Sequence, residues 1–184
     1  MLKWWEKTVE YYFVRKFIDE RILVAPLDGD EERAGDTILS AGHKWILIEF
    51  KKDSESIKTE YKKFNDYHRA KNELSNFDGH HFLIYGFLKQ ENGAFAINVI
   101  TYFYNKTSAD INNILSVGVD IELFQSYLTK FFNFKKNASG GSGGFFLNSS
   151  MVAGVVETGG ALKIVKCMSL MEYALTVQKN LIHA

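Results

Sequence analysis

Cysteine is almost missing. Cys167 stands alone, so the chain can close no internal disulfide and assemble no thiolate metal site. An excess of one charge is missing too: Lys plus Arg and Asp plus Glu each number 22. With a net charge of zero, any surface for nucleic acid has to be a local patch balanced by acids elsewhere. No stretch approaches the roughly 18 uncharged apolar residues of a membrane helix. The N-terminal Met-Leu-Lys-Trp-Trp-Glu-Lys carries charges where a signal peptide would have its apolar core. The expectation is a soluble, cytoplasmic protein with no membrane partner. The glycine-rich run 140–144 lacks the Gly-Lys-Ser/Thr ending of a phosphate loop, and no H-E-x-x-H zinc motif occurs. Apolar residues, by contrast, are plentiful at 46% of 184, with aromatics at 15%. That suffices for a sizeable core in one domain, or in one domain with an appended subdomain.

The periodicities alternate between helix and strand. Trp5, Val9, Tyr12, Phe13 and Phe17 recur at helical spacing and predict an amphipathic helix from Trp4 to Glu20. Two short strands follow, Ile22 to Leu27 and Asp36 to Leu39, then a tight turn at Ala41-Gly42-His43 and a strongly β-type strand, Lys44–Lys51 (KWILIEFK). Asp53-Ser54 offers a cap for one long polar helix from Glu55 to Leu74. His81 to Leu88 (HFLIYGFL) reads as a strand buried on both faces, and Asn92-Gly93 turns it into a strand from Phe95 to Tyr104. Further on, the pattern predicts a helix over Asp120 to Phe132 and a linker-like Ala138–Gly144. A hairpin is expected about Thr158-Gly159-Gly160, and Ser169 with Glu172 forms a capping box for a last helix ending near Ile182. The sum is an α/β fold with a mixed sheet over residues 1–105 and an α+β extension over 106–184 packed on it.

Chemistry concentrates at one place. Lys51 follows Glu49 by two, so on a strand both side chains leave the same face, at the end of a segment otherwise rich in Trp, Ile, Leu and Phe. Asp36 precedes Glu49 by 13 residues, a spacing that suits two antiparallel strands joined by a short hairpin and lets the two carboxylates converge. Two carboxylates and the backbone carbonyl of Phe50 are suitable ligands for Mg²⁺ or Mn²⁺, which can activate a water and stabilise charge on a phosphoryl group. Lys51 would then orient or deprotonate that water, or neutralise the phosphate, with burial helping to lower its pKa.

Gly35-Asp36 followed by Ile48-Glu49-Phe50-Lys51 resembles the PD-(D/E)XK, or restriction-endonuclease-like, nuclease superfamily. The order helix, three strands, helix, strand around the motif is similar to that family's common core. The resemblance covers roughly the first 105 residues, with Gly35 standing where the family name has proline. It implies metal-dependent cleavage of DNA, less often RNA, with Asp36 and Glu49 as metal ligands and Lys51 as catalytic lysine. Some members add a glutamate from the first helix; Glu10 is the first choice for that role and Glu6, one turn earlier, the reserve.

Other residues carry weaker signals. Lys58, Lys62, Lys63, His68, Arg69 and Lys71 could hold phosphates, yet Glu55, Glu60, Asp66 and Glu73 interleave them as helix partners. An ordinary solvated face is the simpler reading, with Lys58 and Lys62 kept as nucleic-acid contacts. Lys135 and Lys136 adjoin the glycine-rich stretch, where they could serve a mobile substrate-gripping loop. His80 and His81 read as structural, and most of the aromatics as core. A homodimer, or a partner ATPase or helicase subunit, would suit a nuclease of this size. The contrasting expectation is a non-catalytic binding module with the same sheet, or a subunit of a larger defence or repair complex.

Overall fold

A computed structural model of the chain describes residues 3–18, 44–103, 111, 113–136, 150–170 and 172–173. Five strands form one mixed sheet: Lys44–Lys51 (β1), His81–Leu88 (β2), Phe95–Thr101 (β3), Ser150–Thr158 (β4) and Ala161–Ser169 (β5), in the order β3-β2-β1-β4-β5. β1 and β2 run parallel; β2–β3, β1–β4 and β4–β5 are antiparallel. Three α-helices accompany them among the described residues, Glu6–Phe17 (α1), Tyr67–Leu74 (α2) and Ile121–Phe134 (α3), with short 3-10 segments at Glu55–Lys63 and Ile114–Val117. None of these helices is long and apolar enough to cross a membrane.

The alternation of β1 divides the core. Ile46, Ile48 and Phe50 join Val9 and Phe13 of α1 on one face, while Trp45 and Leu47 join Ala70 and Leu74 of α2 and Phe124 and Phe131 of α3 on the other. The sheet is thus covered on both sides, which is why β1 and β2 read as nearly unbroken apolar runs. The hairpin β4–β5 turns at Gly159 and Gly160, with φ of +61° and +77°, where a side chain would be strained. The Ser169–Glu172 capping box is present: the Ser169 amide donates to Glu172 Oε2 at 2.7 Å and the Glu172 amide to Ser169 Oγ at 3.1 Å.

Two expectations about this region are corrected. The long helix Glu55–Leu74 is broken. Phe64 is extended (φ −103°, ψ 150°) and only 3% exposed, buried in the aromatic cluster beneath α3, so the chain leaves the 3-10 segment there. Asp66 then restarts helix by accepting from the Arg69 amide at 3.0 Å. The second correction concerns β1, expected to pair in a hairpin with 36–39. Its edge from Lys44 to Glu49 is instead taken by β4, and the other edge by β2 from Leu47 to Lys51. A strand that can pair with only two neighbours has no room left there for a third. Asp36 and the strands expected at 22–27 and 36–39 lie outside the described residues.

Candidate functional site: a buried ionic cluster at the end of the central strand

Glu49 sits on the middle strand of five, opposite Leu83 of β2 and Ser150 of β4, with no exposed surface. A carboxylate so placed must find cations or remain neutral. It finds two: Lys51 Nζ and Lys63 Nζ both donate to Glu49 Oε1, at 3.1 and 2.5 Å. The same two ammonium groups contact Glu60 Oε1, at 2.8 and 2.7 Å. Two carboxylates are therefore bridged by two ammoniums. Glu60 Oε2 accepts from the Tyr102 hydroxyl at 2.5 Å, and Lys135 Nζ donates to that hydroxyl at 2.7 Å. Glu49 Oε2 receives no amide, hydroxyl or ammonium hydrogen bond among the described residues, and the Glu60 carboxyl is its hydrogen-bonding neighbour.

Backbone pairing explains the convergence. Lys51 leaves β1 on the same face as Glu49, as its spacing predicts. At the break after Lys63, the Asn65 amide donates to the Phe134 carbonyl (3.0 Å) and the Lys136 amide to the Lys63 carbonyl (3.0 Å), so the end of α3 is laced to the chain around Phe64. That lacing brings Lys63 and Lys135, 72 positions apart in sequence, to one cluster. Lys135 is buried over the rings of Phe64 and Phe131, at 4.0 and 4.5 Å. It does not form the exposed loop expected of it. Lys63 and Glu60 likewise turn inward from a segment whose sequence suggested a solvated face. Lys58 fits that suggestion, being exposed and paired with Glu55.

The electrostatics assign states. Burial favours a neutral Glu49 carboxyl, yet Lys51, Lys63 and Lys135 prevail and hold it well below the usual carboxylate range. Burial pulls Lys51 down, but Glu49 and Glu60 raise it well above the ordinary lysine value. With Glu49 and Glu60 as its neighbours Lys51 is therefore held in its cationic form, the reverse of the lowering expected from burial. Lys135 behaves oppositely: burial brings it down to about 8. His80, lowered by burial to about 4, and His81, also lowered chiefly by burial, are neutral; His81 Nδ1 meets the Tyr127 hydroxyl at 2.8 Å and the ring stacks on Tyr102.

The first helix contributes through its N-terminus. Trp4 Nε1 donates to the Lys52 carbonyl at 2.7 Å and pins the start of α1 beside the end of β1. Glu6, one turn into that corner, interacts electrostatically with Lys51, Glu49, Lys63 and Glu60, and burial raises its carboxyl. Glu10, the first choice from sequence, forms an ion pair with Lys7 at 3.0 Å.

A hard divalent cation asks for oxygen donors, with one or two carboxylates often enough when water and phosphate complete the shell. Glu49 Oε2 is one such donor. The Leu47 amide bonds to β2, so strand alternation turns the Phe50 backbone groups toward the opposite edge, the one that β4 occupies. Among the described residues no three Asp, Glu, His or Cys side chains gather as a ready-made metal site. Two surface cavities of about 440 Å³ lie elsewhere, one lined by Asn65, Arg69 and Glu73, the other by Phe77, Val117 and Leu123. Against known proteins, no family model, no curated protein and no solved structure matches this chain.

Proposed function

We propose that this protein is a Mg²⁺- or Mn²⁺-dependent phosphodiesterase that cuts nucleic acid, DNA in preference to RNA, as the PD-(D/E)XK resemblance implies. One observation carries the reading: Glu49 and Lys51 share a face at the end of the central strand, and the buried Glu49 keeps one oxygen that no amide, hydroxyl or ammonium group fills among the described residues. Glu49, the Phe50 carbonyl and Asp36 would hold the cation, with a first-helix acid, Glu6 or Glu10, beside it. When bound, the cation supplies Lewis acidity toward phosphoryl oxygen and lowers the pKa of water. Lys51 would orient or deprotonate the attacking water, or neutralise charge developing on the phosphate, the last role being the one that its pairing with Glu49 and Glu60 favours. Lys58 and Lys62, exposed on the 3-10 segment, would add sequence-independent phosphate contacts.

The test compares cleavage of plasmid DNA, single-stranded DNA and RNA with Mn²⁺ for the wild type, Asp36→Asn and Glu49→Gln. Both variants should lose roughly a hundredfold or more in rate. Undiminished cleavage in both would remove the assignment. A second reading, a non-catalytic module or a subunit active only with an ATPase or helicase partner, draws on the closure of Glu49 Oε1 by two ammonium groups. Mn²⁺ titration separates these. A site lost in Glu49→Gln, without cleavage by the isolated chain, favours the subunit; no site at all favours the module.

A further inference from the structure

The ring of Glu49, Lys51, Glu60 and Lys63 holds two carboxylates close together and two cations between them, and those two cations are not equivalent. Lys51 is 4% exposed and anchored in β1, where leaving would strand its charge against the core. Lys63 is 25% exposed and is the last residue of a 3-10 segment, so its ammonium has a path to water. It nonetheless makes the two short contacts, to Glu49 at 2.5 Å and Glu60 at 2.7 Å. The paired carboxylates are buried, at 0% and 1% exposure, and Lys135 Nζ stands 3.6 Å from Glu60 as a third ammonium, so loss of the Lys63 contact leaves two cations for two acids and does not strand either carboxylate. Glu49 Oε2 supplies a further oxygen at the same place.

We infer that the Lys63 ammonium occupies the position of an exchangeable divalent cation between Glu49 and Glu60. Mg²⁺ or Mn²⁺ and the Lys63 ammonium would thus exclude one another, and Glu60 becomes a metal ligand. This rests on the metal-dependent reading above and extends it to Glu60 and Lys63, two residues whose sequence pattern suggested a solvated helix face. Oxygen-only donors with two carboxylates suit a hard cation that retains several waters. Once displaced, Lys63 swings toward solvent at the mouth of the cluster, where its charge can meet a phosphate of the substrate. Lys63 is then a positioning residue, closed on the acids when no cation is present and open when one is bound.

The experiment is calorimetric titration of the full chain with Mn²⁺ alone, for the wild type, Lys63→Met, Lys63→Arg and Glu60→Gln, each first checked for cooperative unfolding. Lys63→Met should bind Mn²⁺ about tenfold more tightly than the wild type, equivalent to about 1.4 kcal/mol. Lys63→Arg should bind no more tightly than the wild type, and Glu60→Gln at least about tenfold more weakly. A wild-type measurement covers the case in which a variant does not fold. Amine labelling of Lys63, read by peptide mass spectrometry, should rise several-fold on adding Mn²⁺ while that of Lys51 stays low. Equal Mn²⁺ affinity in wild type, Lys63→Met and Glu60→Gln, or labelling of Lys63 that does not respond to Mn²⁺ at saturation, overturns the exchange and leaves the metal-dependent reading standing. Absence of Mn²⁺ binding in every folded protein overturns both.

Discussion

Replacing Lys135 by Met perturbs a cation of the cluster for which burial outweighs the attraction of the neighbouring acids. Its side chain is buried and the ammonium lies over Phe64, Phe131 and Tyr102, with Glu60 3.6 Å away. Desolvation outweighs the attraction of Glu49 and Glu60, so the group titrates near 8 in the folded chain instead of at the ordinary 10.5. Between those values the unfolded chain holds a proton that the folded chain has released, so stability rises with pH across the window and is flat below it. The gap corresponds to about 3 kcal/mol, of which roughly 2 to 3 kcal/mol develops between pH 7 and pH 10. Lys135→Met has no such proton. Urea unfolding of both proteins at a series of pH values should therefore give a stability difference, wild type minus variant, that climbs by that amount over the interval. Tyrosine ionisation, which burial delays in Tyr102 and Tyr127, acts on both proteins and largely cancels in the difference. A difference that stays constant within about 0.5 kcal/mol would refute the burial argument for Lys135.

Three further substitutions probe the fold around the site. Lys51→Ala should cost about 3 to 5 kcal/mol in chemical denaturation, because it leaves Glu49 and Glu60 buried with one fewer cation; a loss under 1 kcal/mol would mean the cluster is far wetter than its burial indicates. Gly86→Ala would set a Cβ 2.7 Å from Trp4 Nε1 and 2.8 Å from the Phe95 ring. It should push Trp4 off the Lys52 carbonyl and destabilise by about 1 to 3 kcal/mol, with a changed near-UV circular dichroism band; an unchanged spectrum and melting temperature would place Trp4 elsewhere. Phe131→Ala removes a fully buried ring that touches Tyr102, His81, Phe64 and Tyr127. It should cost about 3 to 5 kcal/mol in urea, and a cost below 1 kcal/mol would contradict the packing of α3.

What could be read from the chain alone was what local period and turn chemistry control. β1 and β2 are apolar runs of strand length, the Gly159-Gly160 turn admits positive φ, the spacing of apolar residues in α1 and α3 gives each a buried face, and Ser169 and Glu172 cap each other at short range. Glu49 and Lys51 announced themselves for a similar reason: two charges ending an otherwise apolar strand must have partners. Which partners they have is a non-local matter. β4 lies about a hundred residues beyond β1 yet takes the edge that a hairpin with 36–39 would have used, and no period within either segment encodes that pairing. Phe64 breaks a helix because a pocket of rings from α3 and from Tyr102 and Phe103, just past β3, rewards its burial more than another helical turn would. The inward turn of Glu60, Lys63 and Lys135 follows from that break and from its lacing to the end of α3. Local sequence therefore specified the strands and their charged end. The tertiary fold decided which acids and lysines meet there, because a buried charge is satisfied by whatever groups the packing of distant segments brings within reach.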